Sequence, residues 1–151
     1  MTTIVSNPHI TEAEWEVMRV VWANTQVVSK DVISILEDKM NWKQATTKTL
    51  LGRLVEKGVL NPELEGRKFV YTANIEEKDA IRSHTNDIFD RICRKNVGNV
   101  LASIIEDHPL SFDDIQRLEE MLEKKKTFAV EEVDCQCAEG QCDCHLHHHG
   151  K

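Results

Sequence analysis

The apolar residues of this chain change their repeat once, and that change restricts the fold more than any single motif. Up to Gly58 they recur at helical spacing, and directly after it they do not. Thr11 and Glu14 have capping-box spacing, and Trp15, Met18, Val21 and Trp22 follow at three- and four-residue intervals, predicting a first helix over about residues 11–24. Ser29 is the expected N-cap of a second helix, with Val32, Ile33, Leu36 and Met40 on one side and an end near Asn41. Thr46 is the expected N-cap of a third, in which Leu50, Leu51, Leu54 and Val55 share a face and Gly58 supplies the C-cap. Beyond Gly58, Val59-Leu60, a turn at Glu65-Gly66-Arg67 and the β-prone run Lys68 to Thr72 predict two short strands. Three helices followed by a β-hairpin is the order of a winged helix-turn-helix. In that fold the third helix enters a DNA major groove and the hairpin tip, here Arg67 and Lys68, touches the backbone.

From Glu76 onward no strand signal remains. Ile81, Ile88, Phe89, Ile92, Val100, Leu101, Ile104 and Ile105 mark helical faces, Pro109 interrupts, and Ser111 can cap a last helix carrying Ile115, Leu118, Met121 and Leu122 up to Lys124-Lys125-Lys126. Three amphipathic helices placed after a complete small domain have little core of their own to fill, so a second copy of the chain is the expected partner and a homodimer follows. Residues 127–134 are acidic and aperiodic, a linker to a cysteine cluster. The expected fold class is mainly α with a small β-hairpin. Its domains are a winged-helix DNA-binding domain at 1–75, a helical dimerisation domain at 76–126, and a flexible linker and Cys-rich tail at 127–151.

The net charge of −7 argues against nucleic acid only as a sum. Residues 1–75 hold nine Lys/Arg and nine Asp/Glu, so the whole deficit lies in the second half, and Lys39, Lys43, Lys48, Arg53 and Lys57 face only Glu56 in their stretch. With the apolar residues of the third helix turned inward, Ala45, Thr49, Gly52, Arg53 and Glu56 lie opposite, flanked by Thr46, Lys48 and Lys57. Thr46 and Thr49 can hydrogen-bond bases or offer a methyl to thymine, Arg53 can reach guanine or phosphate, and Lys43, Lys48 and Lys57 can hold phosphates. No run approaches the roughly 18 apolar residues of a membrane span, and no basic stretch with an apolar h-region opens the chain, so a cytoplasmic protein without membrane attachment is expected. Without a Gly-rich phosphate loop, nucleophile elbow or His-Glu metalloprotease motif, no enzyme is expected.

Glu14-Trp15-Glu16-Val17-Met18, Val21-Trp22, Thr46-Thr47-Lys48-Thr49-Leu50-Leu51, Arg53-Leu54-Val55-Glu56-Lys57-Gly58 and Glu65-Gly66-Arg67 together resemble the penicillinase/methicillinase repressor family (BlaI/MecI). The resemblance covers about residues 10–123 and implies a dimeric winged-helix repressor on an inverted-repeat operator. In β-lactam-responsive members a peptidase cuts an Asn-Phe bond in the dimerisation region, where this chain has Ser103-Ile104, so its signal comes from elsewhere.

Cys135-x-Cys137-x4-Cys142-x-Cys144 sets four thiols within ten residues, with Gly140 allowing the segment to fold back. A reducing cytoplasm disfavours a disulfide framework, and the spacing departs from zinc fingers, whose ligand pairs are usually about two to four residues apart. A compact thiolate cage suits soft ions, Cu(I) above all and also Zn(II). Cys93, near Ile88, Phe89 and Ile92, is expected to be a small buried hydrophobe, and Trp15, Met18 and Trp22 to be core. His145, His147, His148 and His149 are not needed by a four-thiolate site, and Glu131, Glu132 and Asp134 are expected to be solvated.

The cysteine motif resembles that of the CopY-type, copper-responsive branch of the family. That likeness implies a zinc-loaded form that binds operator DNA with TACA and TGTA half-sites, release when Cu(I) replaces Zn(II), a copper chaperone as donor, and control of copper-export genes. Four thiolates with one Zn(II) or with two Cu(I) carry the same formal charge, so charge repulsion cannot separate the two states and coordination geometry must. Two alternatives remain open on the residues: a metal-buffering protein whose winged helix is an interaction module, and a DNA-binding protein that answers to zinc alone or to thiol oxidation.

Overall fold

The computed structural model describes residues 9–143, so Cys144 and the histidines 145, 147, 148 and 149 lie outside the described residues. The element order is α1 (Glu12–Ala23), β1 (Val27–Val28), α2 (Ser29–Met40), α3 (Gln44–Glu56), β2 (Leu60–Glu65), β3 (Lys68–Ala73), α4 (Glu77–Asp90), a single 3-10 turn (Arg94–Asn96), α5 (Val97–Asp107) and α6 (Phe112–Lys126). The chain forms two compact units divided after Thr85. The sequence places its domain boundary after Ile75; Ala80, on the first turn of α4, is buried in the core of the first unit and carries the division further along the chain.

In the first unit α1 starts at the expected capping box. The Thr11 amide donates to Glu14 Oε1 (2.9 Å) and the Glu14 amide to Thr11 Oγ1 (3.2 Å), satisfying two helix-terminal groups reciprocally. Val17, Met18, Val21, Val32, Leu36, Leu51 and Leu54 fill the space between the first three helices, and Val59 and Leu60 close it from the sheet side. Met18 is fully enclosed, while Trp15 and Trp22 are half-buried against this core and meet edge to face at 5.4 Å. The Trp22 indole N–H donates to the Ile75 carbonyl (3.0 Å), giving the buried ring its polar partner.

Two expected caps move. Helix α2 is capped by Val28 with no side-chain bond, because Val28 pairs with Val70 in the sheet and its extended backbone already sets the helix entry; Ser29 is the first helical residue. Helix α3 begins at Gln44 with Lys43 as N-cap, so Thr46 lies within its first turn. Its C-terminus follows expectation in detail. Gly58 (φ 78°) donates to Val55 O and Val59 donates to Leu54 O, both at 3.0 Å, the two bonds of a Schellman motif, with the Leu54–Val59 apolar contact that accompanies it.

The hairpin β2–β3 is in register from Leu60↔Ala73 to Glu65↔Lys68, leaving Gly66-Arg67 as a two-residue loop. Gly66 (φ 64°) occupies the first loop position, which demands a positive φ in both favoured hairpin turns. A third strand absent from the sequence reading, β1, pairs antiparallel with β3 and gives the sheet the order β1-β3-β2.

The second unit contains α5 and α6. Ser111 caps α6 through a reciprocal box with Asp114 (3.0 and 3.1 Å), and the bond from the Ser111 amide holds the Asp114 carboxyl below its usual range. Lys124, Lys125 and Lys126 occupy its last turn. Neither α5 nor α6 buries a residue: Leu101, Ile104, Ile105, Ile115, Met121 and Leu122 all stand exposed in the single chain.

Candidate nucleic-acid interface and thiol centre

Helix α3 turns Thr47, Leu50, Leu51 and Leu54 inward and leaves Lys43, Ala45, Thr46, Lys48, Thr49, Gly52 and Arg53 exposed on the outside. The inward stripe keeps Leu50, Leu51 and Leu54 and reaches one turn further toward the N-terminus than the sequence reading, with Thr47 joining it and Val55 half-buried against the core. Thr49 donates its hydroxyl to the Ala45 carbonyl (2.9 Å), which orients the side chain and leaves its methyl and oxygen lone pairs for an incoming surface. A Cβ built on Gly52 meets nothing within 4 Å, so a small residue here keeps the face open to close approach. Lys43, Lys48 and Arg53, with Arg67 and Lys68 at the exposed hairpin tip, form no ion pair with a described carboxylate. Their charges are therefore unspent inside the fold, as phosphate or base contacts require.

Lys57 differs from the other candidates. Its ammonium donates to Glu14 Oε1 (2.5 Å) and to the His9 carbonyl (2.7 Å). Glu14 is 1% exposed, and its burial would push the carboxyl up; the hydrogen bond and charge of Lys57, with the Thr11 amide, outweigh this and hold it below the usual carboxylate range. The sequence reading makes Lys57 a phosphate contact. In the structure it is the counter-ion of the α1 cap, a role invisible to spacing because 43 residues separate the partners.

The thiol centre is assembled by the spacer of the cysteine motif. Between Cys137 and Cys142 the Gln141 amide donates to the Ala138 carbonyl (3.0 Å), and Gly140 has φ 90°, the arrangement of a turn that requires glycine at its third position. The Ala138 amide also donates to the Gln141 side chain (3.3 Å). This reversal brings Cys135 and Cys142 sulfurs to 3.4 Å, and the Cys137 amide donates to Cys135 Sγ (3.4 Å). Cys93 is buried as expected, but among thiols rather than in an apolar core: its Sγ lies 3.5 Å from that of Cys135. The sulfurs of Cys93, Cys135, Cys137 and Cys142 all lie within 4.8 Å of one another.

A Zn–S bond of about 2.3 Å implies a tetrahedron with sulfur–sulfur edges of roughly 3.8 Å, so these four need move only by fractions of an ångström to enclose an ion. Hydrogen bonding with Cys135 and Cys142 foremost, then desolvation and Cys93, pushes the Cys137 thiol up to about 12. Sulfurs packed this closely resist collective ionisation unless a cation joins them, and a soft ion is what such a donor set fits.

The profile of a family described as penicillinase repressor matches residues 10–124. The chain belongs to this family. A protein of Latilactobacillus sakei described only as an uncharacterized 16.5 kDa protein in the ptsI 3′ region is 45% identical over 89% of this chain and 92% of its own. The penicillinase repressor of Bacillus licheniformis is 36% identical over 79% of this chain and 93% of its own. A solved CopR repressor structure shares 43% identity over 45% of this chain and 99% of that chain, with a TM-score of 0.39. The chain is a BlaI/MecI-family transcriptional repressor, not an enzyme. The family match ends at Lys124, so position 93 lies within the matched range while the tail thiols lie beyond it.

Proposed function

We propose that the protein is a copper-sensing repressor of a copper-export operon. It binds an inverted-repeat operator with TACA and TGTA half-sites as a homodimer while its thiols hold Zn(II), and leaves when Cu(I), delivered by a copper chaperone, takes them. The observation that carries this reading is the clustering of cysteine sulfurs within 4.8 Å, a donor set suited to both ions. The apolar faces of α5 and α6, uncovered in the single chain, support a second copy as partner. Among the described residues no helix is long and apolar enough to cross a membrane.

Because zinc and copper leave the same formal charge on four thiolates, the switch acts through shape. Zn(II) requires a closed tetrahedron, whereas Cu(I) accepts fewer ligands and shares bridging sulfurs. Each ion shifts DNA affinity only by its preference between the DNA-competent and free forms. The test is an operator titration with zinc-loaded and Cu(I)-loaded protein at constant salt, repeated with Cys142→Ser. Copper-dependent release in the wild type and its loss in the variant support the sensor. Unchanged operator affinity on copper loading refutes the switch, and no operator binding in any form points to metal buffering instead.

A further inference from the structure

We infer that Cys93 is a metal ligand, supplied by the helical scaffold, and that the bound ion clasps the tail to the junction between α4 and α5. Among described residues 86–143 Cys93 is the only buried side chain. Its extended backbone (φ −60°, ψ 134°) caps the 3-10 turn that leads directly into α5, and its carbonyl accepts from the Asn96 amide at 2.8 Å, so the thiol sits on a short rigid joint. Forty-two residues later the tail returns to it at 3.5 Å.

Between Cys135 and Cys142 the residues other than cysteine give little reason for this return. Gln136, Ala138, Glu139 and Gln141 offer almost no apolar surface to hold the segment on helices, whereas metal–sulfur bonds can hold it firmly. The surroundings suit a charged cluster as well. A cavity beside Cys137 is lined by Arg91 and Arg94 and by one carboxylate, Asp90, together with Phe89, Ile92 and Gln136. Four thiolates around a divalent ion keep a net negative charge, and the adjoining space, with two guanidiniums against the single Asp90 carboxylate, keeps a positive surplus that partly offsets it. The Cys137 amide bond to Cys135 Sγ is an outer contact of the same kind.

This inference deepens the copper-sensor reading, and its regulatory consequence rests on that reading. With Cys93 in the coordination sphere, the geometry of the ion is felt where α5, the most apolar of the exposed helices, begins. A site confined to the tail would have no such path.

Cobalt(II) substitution reads the ligand count directly, through the intensity of sulfur-to-metal charge transfer and the position of the d–d bands. Because Cys144 is a fourth tail thiol that could replace Cys93, the decisive protein is Cys144→Ser. It is expected to retain a four-sulfur tetrahedral spectrum, and adding Cys93→Ser to it should lower the count to three. A three-sulfur spectrum in Cys144→Ser that is indifferent to Cys93→Ser overturns the inference. In the full chain, zinc should slow cleavage at Glu131 and Glu132 by a glutamate-specific protease by about tenfold or more, in proportion to the closed population. Cys93→Ser and Cys93→Ala, each checked for native helix content by circular dichroism, should abolish that protection; protection that persists in both refutes the clasp. These readouts are independent of DNA. A wild type that ignores copper at its operator while showing the four-sulfur spectrum fails the sensor and keeps the clasp, and the reverse result separates them the other way.

Discussion

The two units of this chain solve the problem of burial differently. In the first, three helices and a three-stranded sheet enclose Val17, Met18, Leu36, Leu51 and Leu54 almost completely, and even a carboxylate, Glu14, is buried with its own counter-ion. In the second, α5 has its apolar residues on one face and covers none of them, and among the described residues the one enclosed side chain is a cysteine among sulfurs. A self-sufficient core makes a rigid reading head. A unit that depends on something else for its core, whether another chain or an ion, is the place where a signal can change the molecule.

The sharpest way to break this contrast is to cut equal amounts of side chain from each unit. Leu54→Ala, in the fully packed core, should cost about 3 kcal/mol, seen as a fall in the urea midpoint that does not depend on protein concentration. Leu101→Ala in α5 should instead weaken self-association, raising the dissociation constant of the proposed dimer in sedimentation equilibrium; a loss of stability with self-association unchanged would mean that α5 packs within one chain. Next in size, Arg53→Ala should weaken operator binding by about 1 to 3 kcal/mol and relax one base position if Arg53 grips a guanine. A uniform loss on all sequences makes it a phosphate contact.

Lys57→Met tests the reassignment of that residue. It should destabilise the first unit by about 1 to 2 kcal/mol near neutral pH, by leaving the Glu14 carboxylate buried without its cation. The sign with pH follows from the lowered carboxyl of the native protein. The wild-type contribution is present above the ordinary carboxylate range and lost as pH falls through the depressed value, so the penalty in Lys57→Met shrinks on acidification, when a protonated Glu14 no longer needs a partner. A penalty that appears only in operator binding would return Lys57 to the phosphate contacts. Smallest of all, Gly140→Ala should weaken zinc binding at the proposed thiol site by about 1 kcal/mol, because φ 90° strains any residue with a Cβ although nothing crowds the position. Competition with a zinc chelator measures it.

Helix α1, the end of α3 and the hairpin could be read from spacing because each is fixed by neighbours within a few residues: the Thr11–Glu14 box, the Gly58 Schellman turn, the Gly66 loop. Strand β1 could not, since two valines carry no period and become a strand only by pairing with Tyr71 and Val70. The exposed basic residues Lys43, Lys48 and Arg53 followed from helical phase alone. Lys57 did not, because its role is set by a carboxylate from another helix. The thiol spacing pointed to a cluster of sulfurs, yet the approach of Cys93 to that cluster had no local signal beyond a cysteine in an apolar neighbourhood.

By itself, then, the order of residues determined the helices and the β2–β3 hairpin, the outward face of α3 and the folding back of the cysteine motif about Gly140. All of these arise from periodicity or from φ preferences acting over a few residues. The tertiary structure alone decided which cation is tied to the buried Glu14 and which thiol meets Cys135 from 42 residues away. Such contacts depend on where the chain returns in space, which no local preference encodes.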